Sequence, residues 1–141
     1  MTTNTTHPDY NDLTQDIKHW GMELGFQQVG ITDTQLAEDE INLLNWLNSG
    51  MHGEMTYMER HGIQRSRPAN LLPGTLRIIS VRMDYLPPAS QLPAKVLGNP
   101  ELAYISRYAT GRDYHKLMRL RLQKLANKIE TVTGHFNYHV F

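Results

Sequence analysis

The sequence predicts an α+β fold in which a mixed sheet is flanked by helices. Along three segments, apolar residues recur every three or four positions, which is the spacing of an amphipathic helix. Short segments rich in β-branched and aromatic residues separate them and are typical of strands. The 141 residues are 40% apolar and 20% charged, as in an ordinary globular chain. We therefore expect one domain over residues 9–141, preceded by a disordered polar tail over residues 1–8.

The first helix is predicted directly after the tail. Asp9 or Asp12 can cap its start, and Gly25 can end it, because glycine tolerates the left-handed backbone at a helix C-terminus. Residues 26–31 then predict a short strand. The apolar stripe of the helix consists of Leu13, Ile17, Trp20 and Leu24.

A second helix is predicted to begin at Asp33 or Thr34. Acidic side chains in its first turns interact favourably with the positive end of the helix dipole. A short helix is predicted over about residues 54–61. Another is predicted over residues 68–72, where Pro68 suits the first turn. The acidic run consists of Glu38, Asp39 and Glu40.

The C-terminal half is predicted to hold three strands and the longest helix. Residues 76–85 give the clearest strand, and residues 103–108 and 136–141 give two more. Prolines make residues 87–100 a connecting loop, and the longest helix is predicted over residues 113–132. An alternating segment such as 136–141 normally pairs within a sheet, so we expect the fold to be incomplete at its C-terminus.

The formal net charge is zero, but it is the sum of two unequal parts. Residues 1–59 carry ten acidic side chains and one basic one, whereas residues 60–141 carry four acidic and thirteen basic ones, giving −9 and +9. Such segregation indicates an anionic partner such as nucleic acid. Cysteine is absent, which excludes disulfides, cysteine nucleophiles and cysteine-ligated metal sites within these residues.

The common catalytic motifs are missing from this sequence. No glycine-rich phosphate loop occurs, which removes the usual support for kinase, GTPase and dinucleotide-binding functions. His52 and His61 lie nine residues apart, and His135 and His139 have no nearby carboxylate in the sequence. We therefore expect no zinc or iron site formed by this chain alone.

The basic residues of the longest helix leave two interpretations open. Arg121, Lys124 and Lys128 follow one side of the helix, next to its apolar stripe. Such a row is usually a solvated face. With the tyrosines interleaved among the basic residues, it is alternatively a surface that contacts phosphates and stacks bases.

Two turns concentrate residues of unusual chemistry. The first is Arg-Ser-Arg-Pro over residues 65–68, followed by Leu-Leu-Pro-Gly over residues 71–74. The second covers residues 104–115, where a predicted strand ends, the backbone turns at Gly111 and a helix opens with free N–H groups. That junction suits an anionic or polar cofactor group, or it is simply a turn capped by Asp113.

These clusters, with Gly-Met-His-Gly-Glu-Met-Thr-Tyr over residues 50–57 and Ile-Ser-Val-Arg-Met-Asp-Tyr-Leu over residues 79–86, resemble the N-terminal region of the tRNA epoxyqueuosine reductase family. The resemblance covers about residues 10–141. It implies the last step of queuosine synthesis, in which an epoxide on a modified tRNA base is reduced to an alkene. It also implies a nitroreductase-like, cobalamin-binding fold, and two [4Fe–4S] clusters that pass electrons from a donor to the cobalt.

The resemblance implies roles for two residues of this chain, Arg65 and Ser106, as cobalamin contacts. The family's acidic proton donor would fall about two residues beyond Phe141, so we expect no catalytic residue in this chain. The cluster ligands are likewise expected outside it. The resemblance thus implies an oxidoreductase of which this chain is an N-terminal portion, inactive by itself.

Two other functions remain open at this point. One is a stand-alone module that binds a corrinoid or RNA, and the other is a related cobalamin-dependent reductase of small molecules. No apolar stretch approaches the roughly 18 residues of a membrane span, and the N-terminus lacks the features of a secretory signal. We therefore expect a cytoplasmic monomer without a membrane partner.

Overall fold

The computed structural model describes residues 9–86 and 89–141. The predicted tail over residues 1–8 and the Pro87-Pro88 pair lie outside these residues. The helices are α1 (Tyr10–Glu23), α2 (Ala37–Asn48), α3 (Tyr57–Arg60), α4 (Pro68–Leu71), α5 (Pro93–Leu97) and α6 (Tyr114–Thr133). The strands are β1 (Gln28–Thr32) and β2 (Ile78–Arg82), and 3-10 helices cover Gly62–Arg65 and Arg107–Ala109.

The chain divides into two compact units. Gly30–Ser80 form one of them, which we call the continuous unit. Met1–Val29 together with Val81–Phe141 form the other, which we call the discontinuous unit. The two motif clusters of the sequence fall in different units, so each is described within its own.

The discontinuous unit contains the apolar core. Helix α1 packs on helix α6, which brings together the two longest apolar stripes of the sequence. Phe26 and Leu125 are each only 2% exposed and are the largest fully buried side chains of the described residues. The other buried apolar residues are Ile17, Val96, Ala126 and Ile129.

The two long helices begin as their sequences predict. Asp9 caps α1, since its carboxylate accepts a hydrogen bond from the Asn11 amide at 2.7 Å. Asp113 caps α6 in the same way, accepting from the His115 amide at 3.0 Å. The chain leaves α1 through Gly25, whose φ of +85° is the left-handed conformation predicted there.

Strands β1 and β2 pair in a two-stranded sheet. The Gln27 amide, just before β1, donates to the Arg82 carbonyl at the end of β2, so the start of one strand lies beside the end of the other, as in an antiparallel pair. The described residues are therefore α+β, as the sequence predicts. The mixed sheet and the nitroreductase-like fold stay predictions.

Two predicted strands are not formed. Residues 103–106 are irregular and lead into the 3-10 helix Arg107–Ala109, where the Ala109 amide donates to the Ser106 carbonyl at 2.9 Å. Residues 136–141 keep the alternation of a strand, with Phe136, Tyr138 and Val140 half-buried between exposed residues. Among the described residues, however, no backbone hydrogen bond joins this segment to another. A strand exists only through its ladder partner.

Two predictions about helices were also wrong. The proline-rich loop contains α5, because Pro93 occupies the first helical turn, where its missing N–H is not needed. Helix α2 begins at Ala37, later than Asp33. The Asp33 carboxylate accepts from the Gln35 amide at 2.9 Å, which closes a local turn before the helix.

Candidate functional site

Arg65 lies at the end of the 3-10 helix Gly62–Arg65 in the continuous unit and is exposed. Its Nε donates to the Met58 carbonyl at 3.2 Å, and its Nη2 donates to the Tyr57 carbonyl at 2.8 Å. The guanidinium also lies 5.8 Å from the centre of the Tyr57 ring. An arginine has five N–H donors, and among the described residues the other three have no acceptor. Helix α3 thus orients the Arg65 side chain, and three N–H donors of its guanidinium stay available.

Glu40 of α2 binds the two residues that follow Arg65. Its Oε2 accepts from the Ser66 hydroxyl at 2.6 Å and from Arg67 Nε at 2.9 Å, and its Oε1 accepts from Arg67 Nη2 at 2.8 Å. The hydrogen bonds from Arg67, then from Ser66, lower the pKa of the Glu40 carboxyl to about 2. A bidentate arginine–carboxylate pair fixes the relative orientation of the two side chains as well as pairing their charges.

His52, within the glycine-bracketed segment, is the second buried polar residue of the continuous unit, besides Ser66. Its Nε2 lies 2.9 Å from Glu59 Oε1, and its ring is 5.9 Å from that of Trp46. Its Nδ1 is buried and has no hydrogen-bond partner among the described residues. This histidine therefore connects the glycine-bracketed loop to α3.

Ser106 lies in the discontinuous unit and is exposed, directly before the 3-10 helix Arg107–Ala109. Beside it, Arg107 donates to the Gln91 carbonyl and stands 5.5 Å from the centre of the Tyr104 ring. The neighbours of Ser106 on both sides, but not Ser106 itself, line an open cleft of about 460 Å³. Its apolar lining comes from Val96, Leu102 and Ile105, and its polar lining from Ser90, Gln91 and Thr110.

The junction before α6 is a capped helix start. The Asp113 carboxylate accepts from the His115 amide and lies 3.1 Å from His115 Nδ1. The His115 ring stacks on Tyr114 with centroids 4.0 Å apart, and Tyr114 meets Tyr108 edge-to-face at 5.9 Å. The predicted cap at Asp113 is therefore confirmed, and the alternative of an anionic or polar cofactor group at this junction stays a prediction.

The predicted basic row on α6 is split by its contacts. Arg121 donates from Nη1 to the Gly25 carbonyl at 3.1 Å and lies 3.2 Å from Met83 Sδ. Lys128 pairs with Glu23 at 2.6 Å, which lowers the pKa of that carboxyl. Lys124 is exposed and has no partner among the described residues. Two of the three cations therefore hold the discontinuous unit together rather than forming a free phosphate-binding row.

Across residues 9–86 and 89–141, no three His, Asp or Glu side chains come together as metal ligands. None of the helices in these ranges combines the length and apolarity that a membrane crossing needs.

Sequence reasoning missed the residues that support the motifs. Glu40 belongs to an acidic run that was assigned only to the helix dipole, and no local pattern pairs it with residues 66–67. In the sequence, His52 is a candidate metal ligand and a member of the Gly-Met-His-Gly motif, and neither pattern predicts its contact with Glu59. The one available signal for it was its position between Gly50 and Gly53, both with positive φ, which makes a tight loop around a buried ring.

Comparison with known proteins decides the family. The family described as "Epoxyqueuosine reductase QueG, DUF1730" matches residues 65–141, more than half of the chain. The chain belongs to the epoxyqueuosine reductase family. It is 59% identical over 138 residues to an epoxyqueuosine reductase of Pseudomonas aeruginosa, which is 98% of this chain and 38% of that protein.

Other epoxyqueuosine reductases are similar to this chain to nearly the same degree. The one of Escherichia coli is 59% identical over 94% of this chain, and the one of Vibrio cholerae is 56% identical over the same share. The chain spans little more than a third of the length of these relatives. No solved structure matches it significantly.

Proposed function

We propose that this chain forms the N-terminal, cobalamin-binding part of an epoxyqueuosine reductase, which converts epoxyqueuosine in tRNA to queuosine. The observation that carries the proposal is the 59% identity over 98% of the chain. Arg65 and Ser106 are the residues we propose as cobalamin contacts. Both are exposed, and both lie on turns that local hydrogen bonds hold in place.

The residues around Ser106 offer groups that suit the edge of a corrin. The cleft beside it combines apolar side chains with hydroxyl, amide and guanidinium groups, and cobalamin carries both an apolar macrocycle and many amide side chains. At about 460 Å³ the cleft accommodates part of such a ligand, not all of it. Bound cobalamin would supply a cobalt centre for two-electron chemistry. Ser106 is small enough for close approach, and Arg107 can donate to an amide oxygen.

The chain does not fit an iron–sulfur cluster. Such clusters are held by cysteine thiolates, and the sequence has none. Reducing an epoxide to an alkene takes two electrons and two protons and releases the oxygen as water. We propose that the electrons, their donor and the acidic group that protonates the oxygen act from outside these residues, so the chain alone is inactive. The remaining elements of the proposal are a nitroreductase-like fold, a cytoplasmic location and a monomeric state.

Cobalamin binding tests the assignment of the two contacts. We expect the absorbance spectrum of cobalamin to change when this chain is added. Arg65→Ala and Ser106→Trp should each weaken the apparent affinity about tenfold or more, by loss of a charged donor and by steric exclusion. Arg60→Ala is the matched control, because Arg60 is an exposed arginine of the same unit without a polar partner among the described residues. An equal response of all three variants would contradict the assignment.

A chimera tests the enzymatic role. In the Pseudomonas aeruginosa relative, the segment that matches this chain is replaced by residues 1–141. We call the resulting protein the chimera. We expect it to form queuosine in the tRNA of a strain that lacks the enzyme, measured by nucleoside mass spectrometry. If the chimera is soluble, binds cobalamin and yields no queuosine, this chain is a corrinoid-binding module and the reductase proposal is wrong.

A further inference from the structure

Glu40 binds the side chains of the two residues that follow Arg65. Its carboxylate accepts three hydrogen bonds within 2.9 Å, all from Ser66 and Arg67. Its side chain is 17% exposed although it carries a charge, and Ser66 is 7% exposed. A partly buried carboxylate with three charge-assisted or hydroxyl donors is a strong, directional anchor.

The same segment is held from its other side by turns and by α3. The amides of Ser66 and Arg67 both donate to the Ile63 carbonyl, at 3.2 and 3.0 Å. The Arg65 side chain then crosses to the carbonyl groups at the start of α3. Arg65 therefore lies between two anchors: Glu40 holds the side chains of the two residues that follow it, and the α3 carbonyl groups hold its guanidinium.

An exposed arginine ordinarily samples many rotamers, and ordering it on binding weakens the interaction it makes. Fixing its backbone and part of its fork beforehand removes that penalty. We propose that Glu40 is a positioning residue, which preorganises Arg65 for the ligand through Ser66 and Arg67. This inference rests on the proposed role of Arg65 in cobalamin binding.

Limited proteolysis tests the anchor without any ligand. Trypsin cleaves after arginine unless proline follows, so within residues 65–68 only the Arg65–Ser66 bond is a substrate. We expect Glu40→Gln to raise the rate of this cleavage at least several-fold, measured by mass spectrometry, while cleavage after the exposed Arg60 is unchanged. Glu38→Gln is the matched control, because Glu38 is an exposed carboxylate in the same first turn of α2. Unchanged cleavage after Arg65 in Glu40→Gln would overturn the inference.

A double-mutant cycle tests whether Glu40 acts through Arg65. In this chain and in the chimera, we expect Glu40→Gln to weaken cobalamin binding about tenfold, as the loss of an outer-shell partner does. In an Arg65→Ala background the same substitution should change the affinity less than twofold, because the group that it positions is gone.

The outcomes of the cycle separate the inference from the function it rests on. An equal loss of affinity in both backgrounds means that Glu40 is merely structural, and overturns the positioning role. If the unsubstituted chain and chimera bind no cobalamin, the proposed function falls and the positioning role falls with it. Faster cleavage after Arg65 in Glu40→Gln, together with a loss of cobalamin affinity only where Arg65 is retained, supports both the positioning role and the proposed function.

Discussion

Replacing Arg121 and Lys124 separately by glutamine should separate a structural cation from an available one on the same helix. Arg121 donates to the Gly25 carbonyl at 3.1 Å and is half-buried. A hydrogen bond from a charged group contributes about 1.5–3 kcal/mol, and less where water competes. We therefore expect Arg121→Gln to lower the free energy of unfolding by about 1–2 kcal/mol. Lys124→Gln should change it by less than about 0.5 kcal/mol, as is usual for exposed positions.

Urea unfolding followed by circular dichroism measures the first effect. With a slope of about 2 kcal/mol per molar urea, the middle of the range for small chains, the midpoint for Arg121→Gln should fall by roughly 0.5–1 M. Binding to a tRNA anticodon stem-loop at several salt concentrations measures the second. If Lys124 contacts a phosphate, its loss should reduce the salt slope by about 1, whereas Arg121→Gln should leave the slope unchanged. Equal losses of stability in both variants, or a salt slope reduced by Arg121→Gln alone, would refute a structural role for Arg121 and an available charge on Lys124.

Three further substitutions test the packing and the Glu40 anchor. Gly21→Ala should destabilise the chain by up to about 2 kcal/mol despite the better helix propensity of alanine, because the new Cβ would lie 2.3 Å from Val29 Cγ2. In a Val29→Ala background only the contact with Val29 Cβ at 3.6 Å remains. In that background, Gly21→Ala should be neutral or stabilising in urea titrations. The pKa of the Glu40 carboxyl is lowered to about 2 from 4.5, so its stabilising contribution is present above about pH 4.5 and is lost as the pH falls towards 2. The free energy of unfolding of Glu40→Gln should lack this part of the pH dependence. The same loss of stability in acid for Glu40→Gln and the unsubstituted chain would contradict the prediction. Leu125→Ala should cost about 2–5 kcal/mol, because Leu125 is 2% exposed in the core, and a loss below 1 kcal/mol in the same urea assay would show that α6 is not packed as described.

Local signals in the sequence were sufficient for the long helices. The aspartates at positions 9 and 113 precede apolar stripes of helical spacing, and both cap helices. Capping depends on residues two or three positions apart, so a short window contains all the interacting groups. The left-handed Gly25 was predictable for the same reason.

Pairing between distant residues was beyond the sequence. Glu40 lies 26 and 27 positions before Ser66 and Arg67, and nothing in either segment alone specifies the other. Residues 103–108 and 136–141 have the composition of strands, but a strand needs a partner, and composition does not reveal whether one is present. Arg65 and Ser106 entered the candidate site only through the family resemblance, since two exposed residues on turns carry no distinctive physical signal.

The segregated charge of the sequence is largely compensated by the fold. The discontinuous unit combines the acidic N-terminal helix with the basic α6 and holds ten basic and eight acidic residues, a formal charge of +2. The continuous unit holds four basic and six acidic residues, giving −2. The −9 and +9 of the linear sequence therefore do not describe two oppositely charged bodies, and they are weak support for a nucleic-acid partner.

One group of cations that could contact an anionic partner lies on or beside α6. Among the described residues of the discontinuous unit, four cations without a partner lie at or near the first half of α6, namely Arg112, Lys116, Arg119 and Lys124. The exposed Tyr108 and Tyr114 rings, which meet edge-to-face, belong to the same stretch of the sequence. If the proposed tRNA substrate contacts α6 through phosphates, the salt dependence of that contact should come from these four residues. The net charge of the C-terminal half would then be irrelevant, because Arg121 and Lys128 are already engaged inside the fold.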